Sequence, residues 1–549
     1  MGVQADRLEA PLIIPRLTVA VLALALFGAA PPLPPLSAEE ASAARYVRAQ
    51  VEFLADDRLE GRLTGSRGHE IAATYVASQF RALGLEPGGL DGQWFRQVPL
   101  RRASNEPGSL VASMSGTGGG SLRAGVDVAV LPSLTERHRE INGELIFAGY
   151  GLDEPLLGFD DYRGLDVRGK IVVLLGGVPA KLPGDIAAHL RSTKKEAAAA
   201  RGAAGLIILS GDGPRGDVAA TIRRTVTDWH DGETIGDTMG VRAAITLSQE
   251  WQQRLFVGAA QSLAAVRMAA KSGSPRGFPL PYRLTLRTAS SWEDFFSPEV
   301  IGKLPGTGPL AGEHVLLMAH LDHLGMKTDE KTGRKTIYNG ALDNAAGVAT
   351  MMEAARQLVA SGKPPARTIL FIANTGEEEG LVGADYLASH PPVPLASIAG
   401  VVDLDMPLPL YDFTDVIAFG ADHSTIARTV AEAGRQMGIG VAADPMPQES
   451  IFVRSDHYRF VRRGVPAILL MTGYANGGEV AWKNFLARTY HSPADNLSQP
   501  IEWRSLARYG MLNARIARAL ADAPKRPRWI ARDYFGDRFA PGQPRAPRP

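Results

Sequence analysis

Short apolar runs alternate along this chain with longer stretches in which apolar residues return every three or four positions, the pattern of strands followed by amphipathic helices. From Glu299 onward the rhythm is regular. Val315 to Ala319 predicts a buried strand, and Val348, Met351, Met352, Ala355 and Val359 mark one face of the helix after it. Thr368 to Ala373 and Ile398 to Leu404 predict two more strands. A helix face of Ile426, Val430, Ala433 and Met437 leads to a strand at Ala467 to Met471, and Leu506, Tyr509, Leu512, Ile516 and Leu520 predict a closing helix.

Two segments break the rhythm. Residues 44–83 have a helical pattern (Val51, Leu54, Ile71, Tyr75, Phe80, Leu83) interrupted by a loop at Glu60 to Gly68. Between Gly125 and Ala270 short strand runs (Glu144 to Phe147, Lys170 to Leu175, Gly205 to Leu209) are separated by Gly- and Pro-rich turns, which predicts a separate, mainly β module. The expected organisation is a discontinuous α/β domain over 44–124 and 271–523, an insert over 125–270, and a Pro/Arg-rich tail over 524–549. The tail is expected to be mobile, with Trp529, Tyr534 and Phe535 as docking points. Ahead of these, Arg7 and Arg16 precede an apolar run from Leu17 to Ala30. It has the length of a signal-peptide core and falls short of the roughly 20 residues that span a bilayer. Residues 1–43 are read as a signal peptide, with Ala41-Ser42-Ala43 as a candidate cleavage site and an uncleaved anchor as the alternative. Export to a bacterial periplasm or exterior is the expected localisation.

Composition narrows the chemistry. The 549 residues, 45% apolar, are too many for one ordinary domain, and 59 basic residues against 58 acidic ones leave no field that would gather nucleic acid. With no cysteine there is neither a disulfide nor a thiolate metal site, so any metal must be held by His and carboxylates.

Such residues collect at the ends of the predicted strands, where open α/β sheets place their ligand crevices. His320 and Asp322 are two apart in extended chain and share a face, an arrangement in which a carboxylate can orient a metal-binding imidazole. His323 lacks that partner pattern and is assigned outside the ligand set. Asp343 opens a helix with Asn344 and a small-residue segment, and either residue could simply cap that helix. Glu377, Glu378 and Glu379 follow an apolar strand; they could be a solvated helix start, or could divide into metal ligand and proton shuttle, with Glu379 left in solvent. Asp405 ends a strand and His491 sits in a loop. Each admits a bland reading by itself, but bland readings at all five sites together are an improbable coincidence.

In the order HLDHLG, ALDNAAG, TGEEEG, DLDM, SDH and YHSPAD, these motifs resemble the bivalent-zinc aminopeptidase family, which includes bacterial leucyl aminopeptidases and the glutamate carboxypeptidase II group. FAGYGL, DVRGKIVVL and ARGAAGLIIL resemble the protease-associated domain that many members carry as an insert. The resemblance implies a zinc-exopeptidase-type mixed sheet flanked by helices. It implies two zinc ions, bridged by Asp343, with His320 and Asp405 completing one ligand set and Glu378 and His491 the other. Glu377 would be the general base acting on a metal-bridging hydroxide, Asp322 the partner of His320, Asp495 that of His491, and Tyr490 a donor to the oxyanion. A cis bond between Asp343 and Asn344 is also implied. Asp456 and His457 would either touch substrate or fix their loop. Glu299 and Asp403 stand where the family often has Asn.

The implied activity is removal of N-terminal residues from peptides by a secreted metallo-exopeptidase. Peptides are the implied partners, with nucleic acid excluded and no membrane span left after signal cleavage. The alternative within the fold is a carboxypeptidase for acidic C-termini, which would need Arg454 or Arg488 in its pocket. A receptor-like binding protein and a single-zinc amide-forming cyclase are the readings from other classes.

Overall fold

The computed structural model describes residues 37–548 except 211–216, 237–239, 274 and 330. Four parallel strands form its centre: β1 (His314–His320), β2 (Thr368–Asn374), β3 (Ile398–Asp403) and β4 (Ala467–Thr472), in the order β2-β1-β3-β4. All but the first residue of β1 are buried in these four strands, as expected of a sheet covered on both faces. Antiparallel strands flank this centre. Phe278–Leu304 pairs with β2, and Asp415–Phe419 with β4. The mixed sheet and its helical layers match the architecture the motifs implied.

The helices that cover the sheet include Ala38–Leu54, Ala346–Ala360 and Trp503–Asp522, which pack on one another. The first is stopped by a reciprocal cap: the Ser37 hydroxyl accepts from Glu40 N, and the Glu40 carboxylate accepts from Ser37 N. Ala41-Ser42-Ala43 lies inside this helix and Ala43 is fully buried, so a cut there would remove the capped first turn. The charged and apolar residues of the signal-peptide reading, Arg7 to Ala30, fall outside the described residues. Among the described residues no helix is long and apolar enough to cross a membrane.

The strand Phe278–Leu304 joins the two parts of the molecule. Its second half pairs with Phe95–Asn105 in the central sheet, while its first half pairs with His138–Phe147 and Val111–Gly116 in a second sheet. That sheet continues through Ile171–Leu175, Gly205–Leu209, Ala243–Leu247 and Val128–Val130 and has its own core, which includes Leu145, Phe147, Val173, Ile207 and Leu284. Its strands are drawn from 111–289, wider at both ends than the 125–270 insert. The reason is that the first half of Phe278–Leu304 is inserted between Val111–Gly116 and His138–Phe147, so the connecting segments on both sides of the insert supply strands to its sheet.

The tail is docked rather than mobile. Trp529 and Phe535 are buried in the main core, and Trp529 Nε1 donates to the Gly464 carbonyl at 3.1 Å. Its Pro and Arg content suggested a solvated segment, yet three spaced apolar residues, Trp529, Ile530 and Phe535, are enough to anchor it.

Candidate metal centre

Three neighbouring strands end at one edge of the sheet, and each delivers its acids or imidazole there. His320 is the last residue of β1, the Thr375–Gly380 turn follows β2, and Asp405 lies two residues beyond β3. Gly376 makes the turn possible: its φ is +71°, and a Cβ there would lie 2.8 Å from Val382. Asp343 comes from the segment ahead of helix Ala346–Ala360, and His491 from the loop after helix Gly478–Arg488.

The side chains converge. His320 Nε2 lies 3.3 Å from Asp343 and 3.2 Å from Asp405. His491 Nε2 lies 3.3 Å from Asp343 and 3.1 Å from Glu378. Asp343 therefore faces both groups. His323, assigned outside the ligand set, also enters the second group, with its Nδ1 2.6 Å from Glu378. His320, Asp343 and Asp405 offer atoms close enough for one cation, and His323, Asp343 and Glu378 for another. The donors are imidazole nitrogens and carboxylate oxygens with no sulfur, a set suited to zinc, and His323 Nε2 is buried without a hydrogen-bond partner. The residues present fit a divalent metal.

Charge at the centre is mutually adjusted. Burial favours a neutral Asp343, yet His320 and His491 hold its carboxyl well below the usual range. Burial likewise works against a charged His491, but Asp343 and Glu378 lift it to about 10. Glu377 is in neither ligand group. Burial lifts it well above an ordinary carboxylate, with His320 opposing and Glu378 and Asp405 adding to the rise.

The surrounding residues take roles the sequence assigned differently in three places. His320 Nδ1 meets the main-chain carbonyl of Asp322 at 3.1 Å, while the Asp322 carboxylate is 3.8 Å away. That carboxylate instead accepts from Glu377 N and Glu378 N, both at 3.3 Å, and from the Thr64 hydroxyl at 2.9 Å, so it holds the turn that carries Glu377 and Glu378. Asp495 does not hold His491. It accepts from Leu342 N and Asp343 N at 2.9 and 3.0 Å and fixes the main chain of Asp343. Asp456 and His457 are fully buried and fix their loop: Asn374 donates to Asp456 at 2.7 Å, and His457 N donates to Asp403 at 3.1 Å. Asp403 also reaches Ser455, whose hydroxyl is 2.7 Å from it and 2.9 Å from Asp405.

Asn344, joined to Asp343 by a cis peptide bond, performs the helix capping. Its Oδ1 accepts from Gly347 N at 3.0 Å and from Met406 N at 3.1 Å, which leaves Asp343 to the metal cluster. Gly347 permits this approach, since a Cβ there would lie 2.1 Å from both Asn344 Oδ1 and the Leu404 carbonyl. Glu379 is not simply solvated: Arg102 reaches it at 3.2 Å. Tyr490 stacks on His491 with ring centroids 3.8 Å apart and lines a cavity with Asp343 and Glu377.

One residue of consequence had no signal beyond its place in the loop Glu60 to Gly68. Arg62 is buried in left-handed conformation, φ +51°, and donates to the carbonyls of Leu54, Leu321, Asn339 and Gly340. It ties the N-terminal helix to the two segments that carry His323 and Asp343. Burial lowers its guanidinium to about 10 against the pull of Asp495, Asp322 and Asp343.

Residues 299–517, which hold every one of these ligands, match peptidase family M28. The match covers 219 of the 549 residues. Among curated relatives, the chain is 30% identical over 199 residues to the alkaline phosphatase isozyme conversion protein of Escherichia coli, covering 35% of this chain and 52% of that one. It is 26% identical over 332 residues to a probable zinc metalloprotease of Leptosphaeria maculans, covering 52% of this chain and 73% of that one. The first of these relatives is thus matched over about half its length. A solved aminopeptidase from Aneurinibacillus sp. strain AM-1 aligns over 88% of this chain and 95% of its own, with TM-score 0.49 and 20% identity.

Proposed function

We propose that this protein is a two-zinc exopeptidase of the M28 type that removes N-terminal residues from peptides. The observation that carries the reading is a small cavity at the metal centre. Met406, Ile451, Leu469, Met471, Trp482 and Leu486 give it apolar walls, and it ends on Asp343, Glu377, Asp405 and Tyr490. Such a pocket takes one terminal side chain and leaves the adjoining peptide bond at the carboxylates. Arg454 lines it but is held by Glu449, 3.6 Å away, and Arg488 is exposed and no part of it. The cation demanded by the carboxypeptidase alternative is therefore already paired there.

His320, Asp343 and Asp405 would hold one zinc ion, and Asp343, Glu378 and His491 the other, with His323 in reach of the second. When bound, the metals supply Lewis acidity toward a water and toward the scissile carbonyl. Glu377 is in neither ligand group and its N–H is held by Asp322, so its carboxylate would be free to take the water proton and return it to the leaving amine. Tyr490, which lines the cavity, would donate its hydroxyl to the developing oxyanion. The acidic surroundings favour a substrate ammonium, which suits a free N-terminus.

The inserted module is read as a protease-associated domain, and the chain as an exported protein released by cleavage of its N-terminal segment. N-terminal sequencing of the protein from separated cell fractions tests the export. Free and N-acetylated peptides with wild type test the activity: equal rates on both would overturn the aminopeptidase reading.

A further inference from the structure

A second cavity, of about 390 Å³, reaches the metal cluster at Glu378 and runs between two stretches of chain. One is the turn of Glu378, Glu379, Gly380 and Leu381; the other is Thr225, Val226 and Thr227. Strand Val226–Trp229 lies within the insert by sequence, yet it pairs antiparallel with Phe95–Asn105 and so extends the central sheet. Among the described residues this is its one ladder, so its other side is an edge of the sheet. Successive strand residues point to opposite faces, and a cavity lined by three consecutive residues therefore meets that edge and not a single face. Arg102, directly across the ladder from Thr227, reaches Glu379 at 3.2 Å and ties the strand to the turn.

The register identifies the groups that the edge presents. His230 N, just past the strand, donates to the Pro99 carbonyl at 2.9 Å, which makes that a hydrogen-bonded pair. Such pairs alternate along an antiparallel ladder with pairs whose N–H and C=O turn outward, so Val226 and Asp228 bond across to Phe95–Asn105 while Thr227 and Trp229 turn away. The Trp229 carbonyl is taken by Gly236 N at 3.0 Å, and the Trp229 N–H by the Asp228 carboxylate at 2.9 Å. Thr227 differs: among the described residues its N–H and C=O have no partner, and its hydroxyl is buried without one. The residue is only 3% exposed. Buried main-chain groups are nearly always paired, and an extended peptide laid along this edge would supply the missing donor and acceptor.

We propose that the residues after the scissile bond of a substrate peptide lie in this cavity as an added strand, exchanging main-chain hydrogen bonds with Thr227. The occupant is an extended peptide recognised through its main chain, with little regard to its side chains. The inference rests on the peptidase reading of the metal centre. It gives the insert a task, since the insert supplies the strand along which the peptide aligns, and it favours peptides long enough to reach Thr227 over dipeptides.

The test compares kcat/KM for Leu-Ala-Ala-Ala-Ala with that for forms N-methylated at the third, fourth or fifth residue. An added strand turns alternate residues toward the edge, so methylation should cost at least about ten-fold at a residue facing Thr227 and less than about two-fold at its neighbours. Large losses at two neighbouring positions, or at none, would overturn the proposal. In the protein, Thr227→Pro removes the outward N–H and leaves the ladder its hydrogen bonds, because proline is tolerated on an edge strand where its nitrogen faces away from the sheet. The ratio of kcat/KM for the pentapeptide to that for Leu-Ala should fall several-fold in this variant, and an unchanged ratio would count decisively against the strand. The ratio is internal to each protein, so partial loss of folded enzyme does not move it. Calorimetry of the same peptides on zinc-loaded Glu377→Gln keeps the two readings separate. Affinities that alternate with the methylated position support the added strand even if acetyl-Leu-Ala-Ala-Ala-Ala is cleaved as fast as the free peptide, the result that would sink the aminopeptidase reading. Affinities that do not alternate would sink the strand.

Discussion

At the scale of single residues the centre separates groups that would hold metal from groups that hold those groups in place. Glu377 and Glu378 are chain neighbours with opposite fates: the first is lifted and left off the ligand sets, the second is lowered by His323 and His491 against the effect of burial. Glu377→Gln keeps shape and removes the proton acceptor. It should lower kcat by roughly 10²–10⁴-fold while leaving zinc content unchanged, measured by steady-state kinetics beside elemental analysis. Arg62 tests the other class. A lysine there cannot reach four carbonyls in four directions, and each acceptor stranded in the interior costs about 1–3 kcal/mol. Arg62→Lys should lose at least about 3 kcal/mol in urea unfolding, with a matching loss of zinc affinity. These roles were unequally legible. His320, Glu377, Glu378 and Asp405 stand out because they end apolar strands, and Asp343 because it opens a helix in a small-residue segment. The work of Asp322, Asp495 and Asn344 is done on main-chain N–H groups, which carry no sequence signature, and His323 looked idle only because its partner Glu378 is 55 residues away.

At the scale of elements, the seam between tail, insert and core is held by His423. Its Nδ1 meets Asp533 of the tail at 2.7 Å, and its Nε2 meets Asp185 of the insert at 3.2 Å. Burial opposes the charge, but the two carboxylates raise the imidazole to about 9 from 6.5. The folded pKa is above the unfolded one, so this stabilisation is fully present below pH 6.5 and is lost as pH rises through about 9. Melting temperature of wild type should fall across that window more steeply than that of His423→Gln; equal slopes would show that the seam does not titrate. Truncation after Ala523 removes buried Trp529 and Phe535, and loss of one buried aromatic side chain costs about 3–5 kcal/mol. The truncated chain should unfold at clearly lower urea. The strands and helices of the core were read from periodicity to within a few residues, because each buries a face of its own. The tail was read as mobile because its aromatic anchors are sparse and find their pocket in a distant part of the chain, although two of the three named docking points, Trp529 and Phe535, are the ones that bury it.

At the scale of the whole molecule, four carboxylates share one edge of the central sheet, and a divalent metal would relieve their crowding. Dialysis against a chelator should abolish hydrolysis and lower the melting temperature, since a ligand at a hundred times its Kd adds about 2.7 kcal/mol to the folded state. Readdition of zinc should restore both, with two ions per chain by elemental analysis; one ion per chain would overturn the bridged pair. The sequence by itself determined the mixed sheet, the strand-end position of the acids and the resemblance of residues 299–517 to peptidase family M28. It could do so because burial patterns and strand-end motifs are local and repeat along the chain. Only the tertiary structure decided that His323 joins the metal cluster, that Arg62 binds its two loops together, and that the insert brings the edge of Val226–Trp229 to a cavity at Glu378. Those are meetings of residues tens to hundreds of positions apart, and their energies depend on burial and distance, which no local pattern encodes.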